Sequence, residues 1–133
     1  MSNRHELANM INEGFEVNNM EQKTMKDMQK EVDAYISQFK EGYFSPLAML
    51  ARLTEEVGEL AREINHYYGE KPKKSTEKER TIEEELGDVL FVMICMANSL
   101  NIDLEAAHNI VMEKFNTRDK DRWTRIEEGE KKE

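Results

Sequence analysis

Between Met25 and Phe115 the apolar residues return every three or four positions, as Met25, Met28, Val32, Tyr35, Ile36 and Phe39 do in the first stretch. That spacing lays them along one face of an α-helix, whereas a half-buried strand would alternate them. Ile82, Leu86, Val89, Leu90, Met93, Ile94 and Ala97 form a later stripe, and Leu104, Ala107, Ile110, Val111 and Phe115 the last one. In between, Leu50, Val57 and Ile64 run beside Leu53, Leu60 and Tyr67, a stripe too wide for one contact in a four-helix bundle. The pattern predicts an all-α, four-helix bundle-like fold that oligomerises through its helices, as a homodimer or homotetramer.

Local punctuation sets the helix limits. The first helix should reach Phe39 and break at Gly42, and Ser45 with Pro46 supplies an N-cap and a first helical residue for the second. That helix should run to Tyr68, with Gly69 at a left-handed C-cap, and the charged segment EKPKKSTEKER follows as a loop. Thr81 caps the third helix, which ends around Asn98 to Asn101, and Asp103 opens the fourth, with Ile102 and Ala107 as a hydrophobic staple. The domain spans 20–123. Residues 1–19 read equally as a leader or expression remnant and as an additional short helix, and 124–133 form a charged tail whose order should fade beyond Trp123.

A length of 133 residues suits one domain. The net charge of −9 argues against a nucleic-acid or anionic-membrane partner, since phosphate would be repelled except at a local basic patch. Cys95 is the only cysteine, so an intrachain disulfide is excluded, and no apolar stretch approaches the roughly 20 residues that cross a bilayer. A cytoplasmic address is expected.

Two acidic motifs interrupt the apolar runs. Glu56, Glu59, Glu63 and His66 fall within a sector roughly 80° wide on the second helix, and Glu85 and Asp88 share a face of the third. Taken singly, either pair is what a solvated helix face would carry. Gly58 and Gly87 alter the balance: each costs about 1 kcal/mol relative to alanine in a helix interior and each precedes the second acid, which suggests close helix approach. Four carboxylates converging there would repel one another unless a divalent cation joined them. An all-carboxylate donor set suits Mg²⁺, with Mn²⁺ as a substitute, whereas a di-iron bundle would want Glu-x-x-His, which these acids lack.

The paired motifs Glu55-Glu56-Val57-Gly58-Glu59 and Glu85-Leu86-Gly87-Asp88 resemble the signature of the MazG-like nucleoside triphosphate pyrophosphohydrolases, all-α enzymes related to the dimeric dUTPases, over roughly residues 24–123. The resemblance implies Mg²⁺-dependent conversion of an NTP or dNTP to the monophosphate and pyrophosphate, with a role in clearing non-canonical nucleotides, by dimers or tetramers that share helices across the site. It matches Glu56, Glu59, Glu85 and Asp88 to metal ligands and Glu55 to a leading acid that supports them or serves as base. Glu59 and Glu55 stand as alternatives for the catalytic base.

Relatives often carry basic residues after the fourth helix, so Lys114, Arg118 and Arg122 are expected to bind phosphate, against their plainer role as a solvated helix end. Asn98 and His66 are weaker candidates for substrate contact. Tyr43, Phe44, Trp123 and Cys95 read as packing residues, which leaves the nucleobase without a pocket. Two other readings fit the same motifs: a phosphoribosyl-ATP pyrophosphohydrolase of histidine biosynthesis, and a non-catalytic nucleotide-binding helical module.

Overall fold

A computed structural model of the chain describes residues 22–69 and 81–127. The expectations for 1–19, for the 70–80 loop and for the end of the tail fall outside the described residues. Within them lie four helices and no strand: α1 Met25–Ile36, α2 Pro46–Tyr68, α3 Ile82–Ser99 and α4 Leu104–Thr117.

Each helix starts on a side-chain cap. The Thr24 hydroxyl accepts from Asp27 N and the Asp27 carboxylate accepts from Thr24 N, a capping box repeated by Thr81 and Glu84 at α3. Those bonds hold the Asp27 carboxyl below the usual carboxylate range. Ser45 accepts from Ala48 N ahead of Pro46, and Asp103 accepts from the backbone of Glu105 and Ala106. The starts predicted at Ser45, Thr81 and Asp103 therefore hold, because a short polar side chain that can accept from the unpaired N–H groups of a first turn is legible in sequence.

The ends are less predictable. α1 stops at Ile36, short of Phe39, where the Ser37 hydroxyl donates to the Asp33 carbonyl at 2.6 Å, and Gly42 then turns the chain at φ 59°. Gly69 is not left-handed: its φ of −94° is extended. The need for glycine there is steric, since a Cβ would lie 2.6 Å from the Asn65 carbonyl oxygen. Asn101 does take a left-handed φ of 54°, and Ile102 N donates to Ala97 O at 2.8 Å, closing α3 with a Schellman-type bond. The chain leaves that turn bent by 103° between α3 and α4.

Packing centres on α3. Met49, near the start of α2, meets Cys95 and Ser99 near the end of α3, whereas Glu56 and Glu59 meet Glu85 and Asp88, so the two helices run antiparallel. α1 lies across α3, and α4 packs mainly on α1. The core of Val32, Met49, Ile94 and Cys95 forms where α1, α2 and α3 meet. No residue of α4 is buried: Leu104 and Ala107 are half-covered, but Ile110, Val111 and Phe115, expected in the core, lie on the surface because the bend carries the helix away. No single described helix is long and apolar enough to cross a membrane.

Candidate metal centre

The antiparallel α2–α3 seam is apolar at one end and acidic at the other. At seven-residue spacing, Met49, Glu56 and Glu63 occupy successive buried positions of α2, while Glu85 and Val92 do so on α3. A seven-residue step returns to nearly the same side of a helix, so these glutamates stand where a simple bundle would put leucine. Glu85 is 1 % exposed, more deeply buried than any apolar core residue among those described. Burying a carboxylate costs several kcal/mol unless charge and hydrogen bonds compensate.

Four of the acids converge. One carboxylate oxygen from each of Glu56, Glu59, Glu85 and Asp88 lies within 4.8 Å of the others. Opposite ligands of an octahedral Mg²⁺ stand about 4.2 Å apart, twice the metal–oxygen distance, so a small contraction would close this set on an ion. Glu56 and Glu85 are buried, Asp88 is half-buried and Glu59 is exposed, which gives the cluster a protein-facing side and a water-facing side. Hard oxygen donors fit a divalent cation of the Mg²⁺ or Mn²⁺ type. Glu56 Oε2 is buried without a hydrogen-bond partner among the described residues, and Arg52 Nε donates to its other oxygen at 3.0 Å. Arg52 is itself exposed, so water screens its charge on that oxygen.

The two glycines do not act as expected. A Cβ built on Gly58 or Gly87 meets nothing within 4 Å, so neither lets the helices approach, and the carboxylates converge from another face of each helix. Glu55, next to the cluster in sequence, is exposed and outside it. His66 has a buried side chain, 3.8 Å from Glu63, and sits about 10 Å along the helix axis from Glu59, seven residues away at 1.5 Å per residue.

The other substrate-contact candidates are placed elsewhere. Asn98 is a structural joint: its amide nitrogen donates to Gln29 O at 2.9 Å and to the Tyr43 hydroxyl at 3.0 Å, and its oxygen accepts from Gln29 Nε2. With both ends of the amide engaged, it ties α1 to α3 rather than facing the acids. Lys114 lies over the Phe115 ring, Arg122 over the Trp123 ring, and Arg118 forms a paired bond to Asp119 at 3.0 and 3.1 Å. That pairing raises the Arg118 pKa and lowers that of Asp119. α4 packs mainly on α1, and Lys114, Arg118 and Arg122 stand at or just beyond its C-terminal end.

Three features escaped the sequence reading. Arg52 could have been found from its position four residues before Glu56, the spacing of a helical ion pair. Glu63 was seen on the right face, but its burial depends on α3. The third is a recess that joins the acids to Tyr35, Phe39 and Phe91, assembled from three separate segments.

Residues 44–123 match the sequence profile of the MazG nucleotide pyrophosphohydrolase domain. The chain is 76 % identical over 110 residues to an uncharacterized Bacillus subtilis protein, YpjD, spanning 83 % of this chain and 99 % of that one. It is similar to a crystal structure of the Bacillus-conserved MazG protein, a nucleotide pyrophosphohydrolase, with 84 % identity, a TM-score of 0.65, and 77 % of this chain and 100 % of the other covered. A crystal structure of YpjD from Bacillus subtilis gives 73 % identity and a TM-score of 0.66, covering 74 % and 100 %.

Proposed function

The chain belongs to the MazG nucleotide pyrophosphohydrolase family, and from that premise we propose that it converts a nucleoside triphosphate to the monophosphate and pyrophosphate with Mg²⁺ held by Glu56, Glu59, Glu85 and Asp88. The observation that carries this reading is the convergence of those four carboxylates on a seam where buried charge is otherwise unfavourable. A bound divalent cation supplies electrostatic stabilisation of phosphate oxygens and acidifies a coordinated water.

The protein's own residues do the rest. Glu56 and Glu85, packed between α2 and α3, fix the position of the donor set, while exposed Glu59 can accept a proton from a water arriving from solvent. Glu55 is the less well placed base, lying outside the cluster. Arg52, held against Glu56, would be freed when that oxygen turns to a cation, and its guanidinium could then face phosphate.

The proposed working unit is a homodimer or homotetramer in the cytoplasm. α2 exposes Leu50, Val57 and Ile64, and α3 with its C-cap exposes Leu86, Met93 and Leu100, each at seven-residue spacing, so two apolar stripes stand ready for helices of a second copy. A partner would also be the means of bringing Lys114, Arg118 and Arg122 to a triphosphate.

A panel of canonical, deaminated, oxidised and methylated NTPs and dNTPs together with phosphoribosyl-ATP, assayed with Mg²⁺ and with chelator, tests the reaction. Metal-dependent release of pyrophosphate is expected. Turnover confined to phosphoribosyl-ATP would redirect the assignment to histidine biosynthesis, and metal binding without turnover of any substrate would reduce the chain to a binding module.

A further inference from the structure

Arg52 stands one turn before Glu56 on α2, and its Nε donates to Glu56 Oε1 at 3.0 Å. A guanidinium carries five N–H donors in a planar fork, and among the described residues this single bond is the one that Arg52 makes. Arg118 shows the filled fork for comparison, with Nε and Nη2 on the two oxygens of Asp119 at 3.0 and 3.1 Å. The Arg52 side chain is 58 % exposed and that of Glu56 8 %, so the cation is free to swing while its partner is held in the seam. Most of the donors on Arg52 are unused.

Glu56 is also one of the four clustered acids. A divalent ion that draws it into a ligand set competes with the guanidinium for the same negative charge, whichever oxygen the ion takes. Arg52 therefore lowers the affinity of the acids for a bare ion. An ion pair this open to water shifts an equilibrium by no more than about fivefold, so the hold on Glu56 is easily given up. A triphosphate reverses the preference, because it offers several anionic oxygens to a fork that is engaged at one point. Arg52, Glu56 and Asp88 border one opening in the surface, so a guanidinium that leaves Glu56 stays beside the acids.

We propose that Arg52 is a charge gate on the metal centre: it holds Glu56 in the absence of nucleotide, weakens the grip of the acids on a bare divalent ion, and passes to the triphosphate when nucleotide arrives. The inference rests on the pyrophosphohydrolase reading and adds how the site is loaded. In the nucleotide-free protein Arg52 acts through Glu56 and is a positioning residue. Once it has moved to phosphate, the competitor is gone, so ion and nucleotide each favour the binding of the other by the same factor.

The test measures binding of Mn²⁺ alone, from the EPR signal of the free ion at low salt, to the parent and to Arg52→Met. Loss of the guanidinium should tighten Mn²⁺ binding about two- to fivefold. In the same variant, KM for the dNTP turned over best should rise at least about threefold at saturating Mg²⁺. The two shifts favour opposite partners, whereas a merely structural role would weaken both. A second measurement follows Arg52 in the parent itself: its Nε–H NMR signal, assigned by its absence from Arg52→Met, should exchange with water faster once Mg²⁺ saturates the acids and slow again when a non-hydrolysable nucleotide is added. An exchange rate that Mg²⁺ leaves unchanged, a Mn²⁺ affinity that is equal or weaker in Arg52→Met, or an unchanged KM overturns the gate and leaves the metal centre intact. A parent that binds no Mn²⁺ in the presence of nucleotide and splits no triphosphate removes the pyrophosphohydrolase reading itself.

Discussion

α3 and α4 both carry an apolar stripe, yet α3 buries Glu85, Val92, Ile94, Cys95 and Ala97 whereas α4 buries nothing. The difference lies in the turn between them. Asn101 in the left-handed region and the Schellman-type bond from Ile102 to Ala97 send α4 off at 103°, so its stripe faces outward while α3 is enclosed by α1 and α2. The described residues of one chain bring four carboxylates together on the enclosed seam and leave α4 projecting from it. Charge placement follows a similar division: the clustered acids lie on α2 and α3, and Lys114 and Arg118 at the end of the projecting helix.

The sharpest way to break this contrast is to remove the acids. Glu85→Gln, Glu56→Gln or Asp88→Asn should each lower kcat/KM by at least about a hundredfold, a loss near 2.7 kcal/mol of transition-state stabilisation. The same variants should keep native helicity, since relieving repulsion among four acids favours the folded metal-free chain. In the parent, Mg²⁺ with a non-hydrolysable nucleotide at a hundred times Kd should add about 2.7 kcal/mol of stability, seen as a raised Tm, and Glu85→Gln should lose most of that shift. A double variant at Glu56 and Asp88 that turns over substrate like the parent would end the metal-site reading.

A second set probes α4 as an assembly surface. Ile110→Glu with Phe115→Glu puts charge on side chains already 67 % and 47 % exposed, so the single chain should fold as before. If α4 meets a second copy, light scattering should show a smaller species, and activity at assay concentration should fall by roughly tenfold, to be recovered on raising the protein concentration. An unchanged mass would leave α4 a free surface helix.

How much of this could be read from sequence depends on range. Helix starts were legible because a cap is a contact between residues three apart, as Ser45 with Ala48 and Thr81 with Glu84. The four acids were legible because they share helix faces within each motif. Their opposition across the seam, and the burial of Glu63, required α2 and α3 to pair antiparallel in one register. The Gly58 and Gly87 inference failed because a helix-interior glycine states a cost without stating which neighbour, if any, justifies it. The bonds of Asn98 to Gln29 and Tyr43, 69 and 55 residues away in sequence, were out of reach for a similar reason, since they depend on how α1 and the 37–45 turn pack on α3.

Lys114→Ala with Arg118→Ala is the next smaller effect. Arg118 is 69 % exposed and already shares Asp119, so its removal should cost the fold little. If the pair binds triphosphate equally in ground and transition states, KM should rise about three- to tenfold at constant kcat; a fall in kcat instead would assign the pair to charge developing on departing pyrophosphate. Metal affinity without nucleotide should not move in either case. Unchanged kinetic constants in a correctly assembled protein would return the cluster to an ordinary solvated helix end.

The smallest effect concerns Tyr43, the joint between the 37–45 turn and the two helices on which the recess beside the acids rests. Its hydroxyl donates to Asp33 and accepts from Asn98, and burial together with the Asp33 bond pushes the phenol pKa up to about 12. The sign follows from linkage: a group whose folded pKa is raised adds stability that is fully present below the unfolded value, near 10, and is lost as pH rises through about 12. Tyr43→Phe keeps the ring, so the wall of the recess stays and turnover at neutral pH should change little. It removes the hydroxyl, and urea unfolding at pH 8 should register about 1 kcal/mol of lost stability, the usual net worth of such a bond. Between pH 10 and 12 the parent should lose stability faster than the variant, by an amount reduced below the full linkage value because the phenol is partly open to water. Parallel curves for the two proteins across that window would mean that the hydroxyl carries no stability there and that the turn is held by packing alone.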